Sequence, residues 1–123
     1  MKKHQNATYD LKYHIVLVTR EKKELINDEI GRFLQKNITR LINQKGEVLK
    51  TAYNKNHFFL LAEIQPQYAI SVVINSVKSS TSRLIKNNFD IEVPFWDNNY
   101  FISSVGEFSI EKAKKYIESR GEK

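Results

Sequence analysis

Apolar residues recur along the chain in two rhythms, and the switches between them mark its elements. Across residues 9–19 they alternate: Leu11, Tyr13, Ile15 and Leu17 fall on one side, Val16 and Val18 on the other. Period-two alternation predicts a strand, and apolar residues on both sides predict burial towards its end. Arg20 to Glu24 reads as a charged, solvated loop. Asn27 then precedes Asp28 and Glu29, and Ile30, Phe33, Leu34, Ile38, Leu41 and Ile42 follow helical spacing. An asparagine caps the first free amides and the acids suit the positive end of the dipole, so a helix should start here. Gly46 is its expected C-terminal stop. Residues 47–53 predict a second strand, with Asn54, Lys55 and Asn56 as the turn of a hairpin. The most apolar stretch, Asn56 to Ile64, predicts a third strand. Its alternation puts Phe58, Leu60, Ala62 and Ile64 on a core face, and His57, Phe59, Leu61 and Glu63 on the opposite one.

Beyond Pro66, residues 69–88 return to helical spacing through Ile70, Val73, Ile74, Val77, Thr81, Leu84 and Ile85. The other flank carries Lys78, Ser79, Ser82, Arg83 and Lys86, either a solvated helix face or a set of phosphate contacts. Residues 90–99 predict a loop, broken at Pro94. Its Phe95–Trp96 pair either plugs a core edge or stacks on bases. Residues 100–105 predict a fourth strand, closed by Gly106, and Ser109 can cap a last helix over 110–120. That helix has a narrow apolar stripe of Ile110, Ala113 and Ile117, with Tyr116 beside it and Arg120 one turn further on. The order β-α-β-β-α-β plus a C-terminal helix predicts an α+β, ferredoxin-like domain spanning residues 1–123. RNA-recognition modules share this plan, an antiparallel sheet with helices on one face. The other face is expected to be open unless a partner or the last helix covers it.

Composition narrows the function classes. Twenty Lys and Arg against fourteen Asp and Glu give a formal charge of +6, which favours a polyanionic partner, nucleic acid first. There is no cysteine, so disulfides and thiolate metal sites are excluded. No apolar run approaches the roughly 18 residues of a membrane helix. The polar start, Met1 to Asn6, leads into no signal-peptide core. The expectation is a cytoplasmic protein with no membrane partner. Among single residues, His14 is either a packed strand histidine or a ligand, and Tyr116 either a packed ring with a wet hydroxyl or a nucleophile.

Several segments, taken together and in order, resemble the single-strand tyrosine transposases of the insertion-sequence-200 type, members of the His-hydrophobic-His nuclease superfamily. They are residues 13–19, the histidine strand from Asn56 to Ile64, residues 77–84, residues 100–106 and Lys115-Tyr116-Ile117-Glu118. The resemblance spans residues 9–120. It implies a homodimer that binds hairpins in single-stranded DNA. It also implies Mg²⁺ or Mn²⁺ held by two strand histidines and a glutamine of the last helix, and a tyrosine that forms a 5′-phosphotyrosine link.

His57 matches the first histidine and Tyr116 the nucleophile, but Phe59 stands at the second histidine and Arg120 at the glutamine. A benzene ring and a guanidinium have no lone pair for a metal. His57 would be a remnant ligand, insufficient alone, and Glu63 lies about 20 Å along the strand, too far to share an ion. The expectation is therefore a transposase-derived protein that binds hairpins in single-stranded DNA, or structured RNA, without cleaving them. Lys78, Arg83, Lys86 and Arg120 are its candidate phosphate contacts, and Phe59 is either its candidate stacking ring or a ring that fills the space the ion left. The alternatives are an active transposase acting through Tyr116, with Arg120 clamping phosphate in place of the metal, and a ferredoxin-like module unrelated to nucleic acid.

Overall fold

The structure, a computed structural model, describes residues 11–105. Its elements are β1 (Leu11–Thr19), α1 (Asp28–Ile42), β2 (Gly46–Tyr53), β3 (His57–Ile64), α2 (Ile70–Phe89) and β4 (Trp96–Val105). The four strands make one sheet in the order β2-β3-β1-β4, every neighbour antiparallel. This is the α+β, ferredoxin-like plan that the alternating rhythms predict. The last predicted helix, with Tyr116 and Arg120, lies outside the described residues.

The sheet has two differently used faces. On one, Ile15 and Leu17 of β1 and Phe58, Leu60, Ala62 and Ile64 of β3 pack against Ile30, Leu34, Ile38 and Ile42 of α1 and Val73, Ile74, Val77 and Ile85 of α2. Fully burying a large aliphatic or aromatic side chain is worth about 1.5–3 kcal/mol, so this layer supplies most of the drive to fold. On the opposite face, Val16 pairs with Phe59 and Val18 with His57 across the β1–β3 ladder. Val16, Val18 and Phe59 form a second buried cluster, with Ala52 of β2 packed against it. His14 and Leu61 are buried on this face too, at 6% and 2% exposure. The inner residues of the second face are thus buried, and the expectation left this face open only where neither a partner nor the last helix covers it.

Three local expectations are corrected. Gly46 is not a helix stop: α1 ends at Ile42, Asn43 caps it in right-handed conformation, and Gly46 opens β2. A glycine is needed there because a Cβ would run into the Glu63 carbonyl of the neighbouring strand. β4 begins at Trp96, inside the predicted loop. The charged segment after β1 is not merely solvated, since the Asn56 side-chain amide donates to the Lys22 carbonyl at 3.2 Å. Asn27 is the cap of α1 as expected, its Oδ1 accepting from the Ile30 amide at 2.8 Å.

Candidate functional site

The histidine strand is held at its start by a clamp of backbone bonds. The Thr19 amide donates to the Asn56 carbonyl at 3.1 Å and the Ile26 amide to the Lys55 carbonyl at 2.9 Å. Within the turn, Asn54 Oδ1 accepts from the amides of Asn56 and His57 at 3.0 and 2.7 Å. This is the side-chain-closed turn that asparagine favours. The same oxygen lies 3.2 Å from His57 Nδ1, and Asn56 Oδ1 lies 2.8 Å from it. Because Asn56 Nδ2 is committed to the Lys22 carbonyl, its oxygen faces the ring, and Nδ1 must carry the proton. In the neutral imidazole the lone pair therefore sits on Nε2. A fixed tautomer and a fixed ring plane are what a histidine needs to act on a ligand.

Among the described residues, what lies next to that ring does not complete a metal site. Phe59 stacks on His57, ring centroids 5.7 Å apart and planes 17° from parallel. It is 0% exposed, inside the Val16–Val18 cluster. Of the two readings of Phe59, its burial in the apolar cluster and its stack on His57 favour filling space over offering a platform to an unpaired base. It fills space where the resemblance implies a donor. Among the described residues no three of His, Cys, Asp and Glu come together to hold an ion. The donor chemistry of the described residues at this position does not fit a divalent cation. His14 is a packed strand residue, paired with Leu61 and Ser103 across the sheet.

A second constellation joins α2 to the start of β4. The buried Thr81 hydroxyl donates to the Val77 carbonyl at 2.7 Å and accepts from Trp96 Nε1 at 2.9 Å. Ser82 Oγ accepts from the Phe95 amide at 2.9 Å. Phe95 and Trp96 are core residues, edge to face at 4.7 Å, which settles the choice between plugging the core and stacking on bases. Ser82 is spent in the same way, and does not belong with the phosphate contacts. Lys78 is only partly available: its Nζ donates to the carbonyls of Asp97 at 2.6 Å and Asn98 at 3.3 Å and lies 4.9 Å from the Tyr100 ring centre. Burial pulls its pKa down, against the pull of Asp97 in the other direction. The Asp97 carboxyl is held below the usual carboxylate range, chiefly by the amides of Asn99 and Glu21.

Arg83 and Lys86, by contrast, are exposed. They line a groove of about 640 Å³ whose other wall is formed by Val93, Pro94, Trp96 and Asp97. Of the predicted phosphate contacts, the fold thus brings Lys78, Arg83 and Lys86 to one groove, away from His57 and Phe59 on the opposite face of the sheet. The groove's second wall was not legible as such, because Phe95–Trp96 reads as part of a loop until Thr81 and Ser82 are seen to hold it. The roles of Asn54 and Asn56 had one signal in the sequence, two turn-forming asparagines flanking one residue just before a histidine.

Similarity to known proteins accords with the layout. A structure of a candidate transposase from Deinococcus radiodurans R1 superposes with a TM-score of 0.77 over 98% of both chains, at 23% identity. A REP-associated tyrosine transposase, solved bound to a REP hairpin, superposes with a TM-score of 0.66 over 95% of this chain and 68% of that one, at 8% identity. These share the fold. In sequence, the ISDra2 transposase TnpA of Deinococcus radiodurans is 26% identical over all of this chain and 93% of its own length. The transposase of insertion sequence element IS200 from Salmonella typhimurium is 24% identical over 91% of this chain and 78% of its own. The family described as "Transposase IS200 like" matches residues 7–120, and the chain belongs to it.

Proposed function

We propose that this protein binds hairpins in single-stranded DNA, as a homodimer, and no longer cleaves them. The observation that carries the reading is Phe59: a ring wholly buried against Val16 and Val18, stacked on His57, where the family resemblance implies a second metal-ligating histidine. Arg120, at the implied glutamine, adds a positive charge that repels a divalent ion instead of a ligand that holds one. Arg83 and Lys86 carry the electrostatic part of binding, with Arg120 a further phosphate contact. Support for a DNA hairpin as partner comes from the net charge of +6 and from the hairpin seen on the REP-associated relative. Support for a dimer comes from β4, an edge strand on which Phe101 is 50% exposed.

A second reading, an active transposase linking DNA through Tyr116, is favoured by one observation. His57 still has its tautomer fixed by Asn54 and Asn56, an arrangement that a purely structural histidine does not require.

One experiment separates the two. End-labelled hairpin DNA is incubated with the protein and Mn²⁺, and covalent adducts are resolved under denaturing conditions. The expected result is a retarded complex under native conditions and no adduct, with an adduct appearing in the double variant Phe59→His, Arg120→Gln. An adduct formed by the unsubstituted protein and abolished by Tyr116→Phe would establish the second reading instead.

A further inference from the structure

We propose that the groove between α2 and the start of β4 seats one unpaired nucleotide of single-stranded DNA, its phosphate on Arg83 and Lys86 and its base against Val93 and Pro94. This rests on the reading that the chain binds single-stranded DNA, and adds where and how one nucleotide is recognised.

The groove's volume, about 640 Å³, falls within the range of small-molecule sites, roughly 300–1,000 Å³. Its walls differ in character. Arg83 and Lys86 stand three residues apart on α2, so both project from the same side of the helix. Facing them are Val93, 44% exposed, and the exposed ring of Pro94. An apolar rim opposite a pair of cations is complementary to a nucleotide, which has a flat, weakly hydrated base and a charged phosphate. A bare anion would leave the apolar wall unused, and an apolar peptide would leave two cations uncompensated.

Charge also fixes which way round the nucleotide lies. The Asp97 carboxylate, ionised at neutral pH because the amides of Asn99 and Glu21 stabilise its charge, lines the β4 wall and repels phosphate from that end. Lys78 is occupied by two main-chain carbonyls, so Arg83 and Lys86 are the cations that face the ligand. The phosphate therefore goes to the helix side and the base to the Val93–Pro94 side.

The chain supplies its own reporter, since Trp96 is its single tryptophan and lines this groove. The test titrates the full-length protein with hairpin DNA carrying one unpaired deoxyadenosine and with the same hairpin made abasic there. Deoxyadenosine monophosphate and inorganic phosphate are titrated alone. The expected result is a change in Trp96 fluorescence with the intact hairpin and with the mononucleotide, but not with phosphate. Affinity for the intact hairpin should exceed that for the abasic one by about tenfold, the scale of one stacked base. Val93→Ser, at an exposed position, should remove the preference for the intact over the abasic hairpin. Arg83→Ala with Lys86→Ala should weaken both hairpins.

Equal affinity for the intact and abasic hairpins, or a fluorescence response to phosphate equal to that for the nucleotide, would overturn the seat while leaving hairpin binding in place. Failure to bind any hairpin, with the mononucleotide still changing Trp96 fluorescence, would instead overturn the proposed function and leave the seat standing.

Discussion

Phe59 and Asp97 show how much one side chain decides here. Phe59 is fully buried in the second cluster, so Phe59→Ala should cost about 3–5 kcal/mol, read as a lower urea midpoint with an unchanged slope. Phe59→His places a polar ring in the same space and should cost less, provided the added nitrogens find partners. The adduct experiment therefore needs that variant's stability measured alongside it. At Asp97 the sign runs the other way. Its carboxyl titrates lower in the folded chain than in the unfolded one, so it stabilises the fold above its ordinary pKa and loses that contribution as pH falls through the folded value. Asp97→Asn should flatten the loss of stability as pH falls below the ordinary carboxylate range, with urea midpoints as the readout. Alternation alone reveals that His57 and Phe59 share a face. It cannot tell that Phe59 is sealed from solvent, because the period of a strand specifies which residues point together and not what lies over them.

At the level of elements, the legible features are those specified within a few residues. Asn27 at the start of α1 is one: its cap depends on its own oxygen and an amide three positions on. Asn27→Ala should cost about 1 kcal/mol in thermal or urea unfolding. The start of β4 is not legible, because Asp97, Asn98 and Asn99 have turn chemistry and are drawn into a strand by distant partners. Thr81, Ser82 and Lys78 of α2 all bond to residues 95–98. Thr81→Val keeps the shape but strands the Trp96 indole N–H, and should cost about 1–3 kcal/mol, more than the loss of the α1 cap. Gly46 shows the opposite error. A glycine after a helical run suggests a helix stop, whereas the pressure here is steric and comes from β3. Gly46→Ala should push β2 off β3 and cost on the order of 1–3 kcal/mol, the range for overpacking.

For the molecule as a whole, the basic balance makes binding a question of counterions. Each phosphate neutralised on a single strand contributes roughly 0.7 to the slope of log affinity against log salt. Arg83→Ala with Lys86→Ala should accordingly lower that slope by roughly 1.4 for hairpin DNA, measured between low and moderate salt. A variant that weakened binding without changing the slope would place those cations away from the DNA. The fold class and the order of elements along the chain were legible because the two periodicities alternate cleanly. The functional layout was only half legible. Lys78, Arg83 and Lys86 could be read from one helix face, but the wall opposite them is made by a segment whose position depends on tertiary bonds.

The second apolar cluster has a consequence for how the molecule opens. β1 and β3 are the two inner strands and are shielded on both sides, whereas β2 and β4 are the outer strands of the described sheet. In hydrogen exchange, amides along the Ile15–Leu60 and Val16–Phe59 pairs should open only with global unfolding, while outward amides of the edge strands exchange through small local excursions. The slow-exchanging centre of the sheet is thus continuous with the strand that bears His57, so the turn that orients the imidazole is anchored to the part of the protein that unfolds last.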